Sequence, residues 1–212
     1  MKNVEQIFNE FLERYPSLSE LSDNIMSAYD LICDSYDNGG KVLACGNGGS
    51  AADSDHIVGE LMKGFISKRK LSSEEMGIFE GIDGAEHLIS NLQGALPAIS
   101  LCSHSALMTA FLNDVEPDMI YAQQVWGYSK NSFDTVIALS TSGSSKDVVN
   151  AVKVANALGI NSIGITGADE SALSELCTVC IRLPETETFK VQELTLPVYH
   201  LICEMVEATY FD

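Results

Sequence analysis

Two pairs of polar residues lie at helical spacing in distant parts of the chain. His56 and Glu60 are four residues apart, so they share one face of a predicted helix. Gln192 and His200 are eight residues apart, slightly more than two turns, and roughly align on a second predicted helix. A carboxylate and an imidazole that face one carbon atom can remove a proton and return one elsewhere. Both are also good zinc ligands, so the spacing leaves acid–base catalysis, a metal site and ordinary solvated side chains open.

The second pair depends on a helix that contains a proline. Pro197 falls between Gln192 and His200, removes the backbone hydrogen bond to the carbonyl of Glu193 and favours a kink. The alignment of Gln192 with His200 is therefore approximate.

Two loops rich in glycine and hydroxyl residues follow predicted strands and precede predicted helices. They are Gly46-Asn47-Gly48-Gly49-Ser50 and Ser140-Thr141-Ser142-Gly143-Ser144-Ser145. Glycine lets the backbone approach an anion, and the following helix offers unpaired amides and the positive end of its dipole. Either loop alone could be an ordinary turn with a helix cap. Because the carboxyl ends of parallel strands share one edge, we expect both loops to reach one crevice and bind a small phosphorylated molecule.

The rest of the chain alternates between short apolar runs and segments with helical periodicity. Strands are predicted at 41–46, 98–102, 135–140, 162–166 and 179–183. Helices are predicted at 50–65, 105–112, 119–128, 145–158, 171–176 and 188–211. Strands separated by helices favour a parallel sheet covered on both faces, and 212 residues suit a single domain, 1–212.

Residues 1–38 contain two amphipathic helices that precede the first strand. Apolar residues recur at intervals of three and four from Val4 to Tyr15 and from Leu18 to Ile32, and Gly39-Gly40 ends the second helix. These apolar faces either cover the sheet of the same chain or form a bundle with another copy, and we favour a contribution to assembly.

Residues 66–97 form the least periodic segment of the chain. The segment carries Lys68-Arg69-Lys70, Glu74-Glu75 and several glycines, and it is too long for a plain connector. Such insertions are lids, interface elements or partly mobile loops.

The charge of the chain limits its partners. The formal net charge is −18, and Lys and Arg residues are scattered apart from the cluster at 68–70, so an ordinary nucleic-acid-binding face is excluded. A bound phosphate must then be held mainly by amides and hydroxyls. The sequence has no run of eighteen apolar residues and no secretory signal, so we expect no contact with a membrane.

The six cysteines lie mostly in apolar runs without regular disulfide spacing, which predicts buried thiols in a reducing cytoplasm. Cys177-Thr178-Val179-Cys180 is a C-x-x-C motif, a possible redox or metal element. It leads directly into a predicted strand and has no second pair, so the structural interpretation is favoured.

Five stretches of the sequence together resemble the phosphoheptose isomerases, which are sugar isomerase (SIS) domain proteins. They are CGNGGSAADSDHIVGEL at 45–61, ND at 113–114, STSGSS at 140–145, ITG at 165–167 and VQELTLPVYHLICEMVE at 191–207. The likeness spans nearly the whole chain from about residue 40. It implies a flavodoxin-like, three-layer αβα sandwich around a five-stranded parallel sheet, assembled as a homotetramer with active sites between subunits.

The resemblance also implies a reaction, the isomerisation of sedoheptulose 7-phosphate to D-glycero-D-manno-heptose 7-phosphate through an enediol. Glu60 and His200 match the family's acid–base pair, in which Glu60 removes the proton next to the carbonyl and His200 shuttles protons. The family's zinc ligands match His56, Glu60, Gln192 and His200. One zinc ion per site is expected, and its necessity is left open.

The substrate-binding residues follow from the same resemblance. The phosphate is expected to contact Ser140, Thr141, Ser142 and Ser145, and the sugar chain Asn47, Gly48, Gly49 and Asp114. The substrate-binding set also includes Ser50, Glu60, Asn113 and Gln192.

The sequence departs from the family pattern at four places. Lys63 stands one position before a usual arginine, Lys190 replaces another, His104-Ser105 replaces an Asp-containing pair, and the segment 66–97 is atypical. These departures leave the exact sugar open. The alternatives are an isomerase of another sugar phosphate and a non-catalytic SIS protein that senses phosphosugars or binds a protein partner. Retention of all four polar residues argues against the non-catalytic alternative.

Overall fold

A computed structural model of the chain describes residues 2–129 and 133–211. It contains a five-stranded parallel sheet in the order β2-β1-β3-β4-β5. The strands are β1 (Val42–Gly46), β2 (Ala98–Ser100), β3 (Thr135–Leu139), β4 (Asn161–Thr166) and β5 (Val179–Arg182). The expected α/β sandwich is confirmed.

The helices are distributed on both faces of this sheet. They are α1 (Val4–Arg14), α2 (Ser22–Asp37), α3 (Gly49–Met62), α4 (Ser73–Gly77), α5 (Ala85–Asn91), α6 (Ser105–Asp114), α7 (Ile120–Tyr128), α8 (Lys146–Leu158), α9 (Ala172–Leu176) and α10 (Thr188–Tyr210), with short 3₁₀ turns at Pro16–Leu21 and Pro117–Met119. Among the described residues, no helix is long and apolar enough to cross a membrane.

The alternation of side chains along β1 and β3 divides the core in two. Val42 and Ala44 face one cluster, which α1, α2, α3 and α10 cover, whereas Leu43 and Cys45 face a second cluster under α7, α8 and α9. Both faces of the sheet are therefore buried, which explains the continuous apolar runs of the strands.

The N-terminal helices pack inside the chain. Ile7 and Phe11 of α1 and Ile25 and Ile32 of α2 are buried in the same cluster as α10. The structure thus shows the intrachain packing, and a contribution to assembly remains a prediction.

The segment 66–97 leaves the domain through a narrow base. The amide of Gly64 donates to Gln93 Oε1 at 2.9 Å, and the amide of Gly94 donates to the carbonyl of Arg69 at 2.7 Å. Between these bonds lie α4 and α5, and neither helix contains a buried residue. The segment projects from the end of α3, and its interpretation as an atypical insertion remains a prediction.

Candidate functional site

His56 and Glu60 of α3 lie close to His200 of α10. Glu60 Oε1 lies 3.1 Å from His56 Nε2, and His200 Nε2 lies 3.5 Å from the same nitrogen. Glu60 is 8% exposed, whereas the His56 side chain is 43% exposed. The cluster therefore combines a shielded carboxylate with imidazoles that a ligand can reach. Lys63 places its ammonium 3.1 Å from Glu60 Oε2.

Behind the imidazoles lies a buried tyrosine that the sequence analysis did not single out. Tyr199 OH lies 2.9 Å from His56 Nδ1 and donates to Asp53 Oδ1 at 3.2 Å. Its ring also packs edge-on against His56 and His200. Asp53 stands three residues before His56 and Tyr199 directly before His200, so proximity in sequence was the available signal.

The protonation of His200 is biased by its surroundings. Burial lowers the pKa of His200 below its ordinary value of 6.5, the neighbouring His56 lowers it further, and Glu60 opposes both effects. The imidazole is therefore neutral at pH 7 and able to accept a proton. Burial also raises the pKa of Tyr199, which keeps its hydroxyl protonated.

The two loops predicted to bind phosphate lie side by side. β1 pairs with β3 in a register that sets Gly46 opposite Leu139, so the loops that follow the strands start at the same edge. Asn47 Nδ2 donates to Asp147 Oδ1 at 2.9 Å, which joins the first loop to the first turn of α8. The two loops therefore share one edge of the sheet, and a phosphate-binding crevice between them remains a prediction.

Both loops lead into helices that begin without a side-chain N-cap, although amides of Ser50, Ala51 and Ala52 donate to the carbonyls of Asn47 and Gly48, and the amide of Val148 donates to Asp147 Oδ1. No side chain caps α3 or α8, whereas side-chain capping boxes close α1, α4 and α9. Gly48 adopts φ 56°, a conformation that a non-glycine residue rarely takes, and presents the start of α3 to solvent. Binding of an anion at these helix starts remains a prediction.

The second loop is held in a defined shape. Ser140 Oγ and Ser145 Oγ lie 3.0 Å apart, and the amide of Gly143 donates to the carbonyl of Ser140 at 2.9 Å. Gly143 has φ 63°, and a Cβ there would lie 2.0 Å from Ser171 Oγ. Ser142 is exposed and Thr141 half-buried, so hydroxyls line the outer side of the loop.

Gln192 lies beside the first loop. Its Nε2 atom is 2.5 Å from the position that a Cβ of Gly49 would occupy. Gly49 precedes His56 by seven residues on α3, about 10 Å of helix. Gln192 therefore lies beside the first loop, next to Gly49.

Asn113 and Asp114 are exposed at the end of α6, where Asn113 Nδ2 donates to Asp114 Oδ1 at 2.7 Å. Within residues 2–129 and 133–211, neither side chain forms a hydrogen bond with the two loops or the imidazoles. Their contact with substrate remains a prediction.

The distances between the predicted zinc ligands can be compared with those in a zinc site. The distances of 3.1 and 3.5 Å at His56 Nε2 are close to the separation of two ligand atoms on tetrahedral zinc, about 3.3 Å for bonds of about 2.0 Å. No group of three or more His, Cys, Asp or Glu in the described part of the chain is arranged to hold a metal ion. The donor types are ones that zinc prefers, but the described arrangement is not itself a metal site, and zinc binding remains a prediction.

A buried ion pair supports the end of α3 that carries Glu60. Arg69 Nε donates to Glu207 Oε1 at 2.7 Å, both side chains are fully buried, and Arg69 also donates to the carbonyls of Glu60 and Leu61. The predicted basic cluster at 68–70 is thus split, because Lys68 and Lys70 are exposed and Arg69 is not.

The cysteines match the structural interpretation of their pattern. All six are free thiols. Cys177 Sγ and Cys180 Sγ pack against Gly164, where a Cβ would lie 3.0 and 3.1 Å from them. Burial raises the pKa of Cys177 to about 12, so its thiol is unreactive at neutral pH.

Comparison with known proteins extends this description. Two family models, each described as an SIS domain, match residues 103–205 and residues 6–99. The phosphoheptose isomerase of Rhodospirillum rubrum is 34% identical over 190 residues, which cover 90% of this chain and 88% of that protein. The phosphoheptose isomerase of Geotalea daltonii is 34% identical over 192 residues, covering 91% and 87%.

A solved structure gives the same result. The phosphoheptose isomerase of Neisseria gonorrhoeae aligns with a TM-score of 0.72 and 26% sequence identity, covering 96% of this chain and 97% of that one. The resemblance read from the sequence is thus confirmed, and the chain belongs to the phosphoheptose isomerase family of SIS-domain proteins.

Proposed function

We propose that this chain is an aldose–ketose isomerase that converts sedoheptulose 7-phosphate to D-glycero-D-manno-heptose 7-phosphate. The observation that carries the proposal is the meeting of Glu60 and His200 at one nitrogen of His56, on helices that also border the phosphate-binding loops. Relatives at 34% identity that bear the name phosphoheptose isomerase support the choice of substrate.

The phosphate would occupy the edge of the sheet where the two loops meet. The hydroxyls of Ser140, Thr141, Ser142 and Ser145 and the uncapped amides at the start of α8 offer donors without a fixed charge. Because the net charge of the chain is −18 and it has few Lys and Arg side chains, uncharged hydroxyls and amides would bind the phosphate. Neutral donors also allow the product to leave.

The sugar chain would run from these loops toward the imidazoles. Asn47, Gly48, Gly49, Ser50 and Gln192 border the first part of this path, and His56 follows about 10 Å farther along α3. An open-chain seven-carbon sugar phosphate is long enough to place its carbonyl at the imidazoles. Asn113 and Asp114 are proposed as further contacts of the hydroxyl groups.

The isomerisation requires one proton to leave C1 and one to arrive at C2. We assign the first step to Glu60, whose carboxylate removes the C1 proton as the electron pair moves toward the carbonyl and forms the enediol. His200, neutral because of its lowered pKa, moves the proton between the two oxygens. Return of the proton to C2 completes the aldose.

Zinc would be held by His56, Glu60 and His200; Gln192, the fourth ligand of the family pattern, lies beside Gly49 and would have to turn toward the imidazoles. When bound, it would stabilise the negative charge on the enediolate oxygens. The steps assigned to Glu60 and His200 do not depend on it.

Assembly and location follow the family expectation. We propose a homotetramer with active sites between subunits, supported by large apolar side chains exposed on α6, Leu107 and Leu112. The six free thiols support a reducing cytoplasm.

The experiment that tests the function follows purified protein with sedoheptulose 7-phosphate by NMR and measures the aldose formed. Parallel reactions with a pentose phosphate and a hexose phosphate compare substrates. We expect the heptose to be converted with the highest kcat/KM. Preference for a shorter sugar would identify a different isomerase, and no turnover of any sugar would support the non-catalytic alternative.

A further inference from the structure

The turn that follows α3 contacts both members of the candidate acid–base pair. Lys63 Nζ lies 3.1 Å from Glu60 Oε2. Two residues later the ring of Phe65 packs against the imidazole of His200, with the ring centroids 5.3 Å apart. Lys63 is extended, with φ −135° and ψ 169°, so the chain leaves the helix at this point and turns toward α10. Neither the acid–base pair nor the predicted substrate contacts include Phe65.

Glu207 fixes this turn to the helix that carries His200. Its side chain is fully buried, and its carboxylate accepts three consecutive backbone amides, those of Phe65 at 2.7 Å, Ile66 at 2.7 Å and Ser67 at 2.9 Å. Hydrogen bonds from amides to an ionised carboxylate are short and strong. Glu207 lies seven residues after His200, close to two turns, so both side chains leave α10 on the same face. The backbone of Phe65 is therefore held at a set position relative to His200.

Three rings contact the His200 imidazole. The centroids of His56 and Tyr199 each lie 4.9 Å from it, and both rings meet it nearly edge-on, at 84° and 88°. A hydrogen bond of 2.9 Å ties these two rings to each other. Phe65 is the third ring, tilted by 48°. Its side chain has no polar atom, so it acts on the imidazole only through its shape and through the water that it excludes.

The shape of these neighbours matters because a histidine ring is weakly oriented by its own torsion. The χ2 angle of histidine has broad minima, unlike the staggered wells of aliphatic side chains. His200 Nε2 points toward His56 Nε2, 3.5 Å away, and His56 Nε2 lies 3.1 Å from Glu60 Oε1. Rotation about χ2 would turn the His200 nitrogen away from this cluster. Rings packed against the imidazole narrow the range of that rotation.

From these contacts we infer that Phe65 is a positioning residue, which keeps the His200 imidazole oriented so that Nε2 faces His56 and Glu60. The inference rests on the proposed function for the role of His200 in proton transfer. A displacement of about 1 Å in a catalytic site can cost about 100-fold in rate, so loss of the Phe65 ring should lower kcat. KM should change little, because the first loop and Gln192 lie near the opposite end of α3.

Phe65 also packs against the core, so the test must separate ring orientation from stability. Phe65 and Phe8 are both half-buried and pack against the same core cluster, and Phe65 adds the contact with His200. Phe8→Leu is therefore the matched control for Phe65→Leu, which removes the flat ring and retains an apolar side chain. Phe65→Tyr retains the ring. A purely structural role would lower the denaturation midpoint of both Leu variants and leave kcat of the folded protein unchanged.

Two measurements test the inference. Crystal structures of the wild type and the three variants give the orientation of the His200 ring. Turnover of sedoheptulose 7-phosphate, at a temperature where each variant is fully folded, gives kcat and KM. We expect one ring orientation and wild-type kcat in Phe65→Tyr and Phe8→Leu. In Phe65→Leu we expect a rotated or doubled His200 ring and a kcat lower by about 10-fold to 100-fold, with KM nearly unchanged.

An unchanged His200 orientation in Phe65→Leu would overturn the inference, as would an equal loss of kcat in Phe8→Leu. If the wild type does not convert sedoheptulose 7-phosphate, the proposed function fails, and the orientation of His200 in the crystal structures alone decides the role of Phe65.

Discussion

His200 Nε2 lies 3.5 Å from His56 Nε2, although 144 residues separate the two histidines. This contact brings the end of the chain onto the helix that follows the first phosphate-binding loop. It places the candidate acid–base residues at one point only if α3 and α10 keep their relative position. Contacts that hold α3 against α10 should therefore affect the site, and they can be tested by mutation.

The Arg69–Glu207 pair is the strongest of these elements. We expect Glu207→Gln to lower the free energy of unfolding by about 3–5 kcal/mol, because it leaves a buried guanidinium without its counter-ion. Urea denaturation measures the change. Glu193→Gln, at an exposed position of the same helix, is the control, and equal stability of the two variants would contradict the role given to the pair.

The same pair predicts how stability depends on pH. Burial alone would raise the pKa of Glu207, but hydrogen bonds from the amides of Phe65, Ser67 and Ile66 and from Arg69 outweigh it and lower the pKa below 4.5. A lowered carboxyl pKa stabilises the fold above the unfolded value and loses this effect as pH falls through the folded value.

We therefore expect the stability difference between the wild type and Glu207→Gln to be constant from pH 7 to about pH 5 and to shrink below about 4.5. Denaturation midpoints between pH 3 and pH 7 measure it. A difference that stays constant to pH 3 would show that the ionised carboxylate is not the stabilising form.

Gly49 leaves room for Gln192 beside the first loop. A Cβ at this position would lie 2.5 Å from Gln192 Nε2, so Gly49→Ala must displace the amide. We expect kcat/KM to fall about 10-fold or more, since small displacements of positioning groups are costly. Gly59→Ala is the matched control, because a Cβ there meets nothing within 4 Å and alanine favours the helix. Equal kcat/KM in both variants would contradict the role of Gln192.

Ser145 tests the phosphate cradle. Its Oγ lies 3.0 Å from Ser140 Oγ, and we expect Ser145→Ala to raise KM by about 5-fold to 10-fold with a smaller effect on kcat, because a bond to the phosphate is made before and during the reaction. Ser144→Ala, on an exposed residue of the same loop, should leave both constants unchanged. A larger increase of KM in Ser144→Ala than in Ser145→Ala would indicate that the phosphate binds another part of the loop.

Much of this architecture was predictable from local patterns. The five strands, the helices between them other than α4 and α5, and the convergence of His56 with His200 agree with the sequence interpretation. Boundaries differ where backbone geometry intervenes: α3 ends at Met62 rather than 65 because Lys63 is extended, with φ −135° and ψ 169°.

Other features depend on long-range contacts that no local pattern encodes. Tyr199 sits in an apolar stripe that predicts a core residue, and only the fold brings Asp53 to its hydroxyl. Arg69 stands between two lysines, which is typical of a solvated face, yet Glu207 draws it into the core. Gln192 aligns with His200 on one helix, but its side chain reaches the first loop instead.

The assignment of Glu60 as the base is tested most directly by the turnover of sedoheptulose 7-phosphate in D₂O, followed by proton NMR, for the wild type and Glu60→Gln. We expect the wild type to form an aldose with solvent deuterium at C2, because the proton that Glu60 removes from C1 exchanges with the solvent before it is returned. Glu60→Gln should lose about 100-fold to 10,000-fold in kcat, since the amide cannot accept the C1 proton, while still binding the sugar phosphate. Glu193→Gln is the control and should match the wild type. Turnover by Glu60→Gln at the wild-type rate would contradict the mechanism.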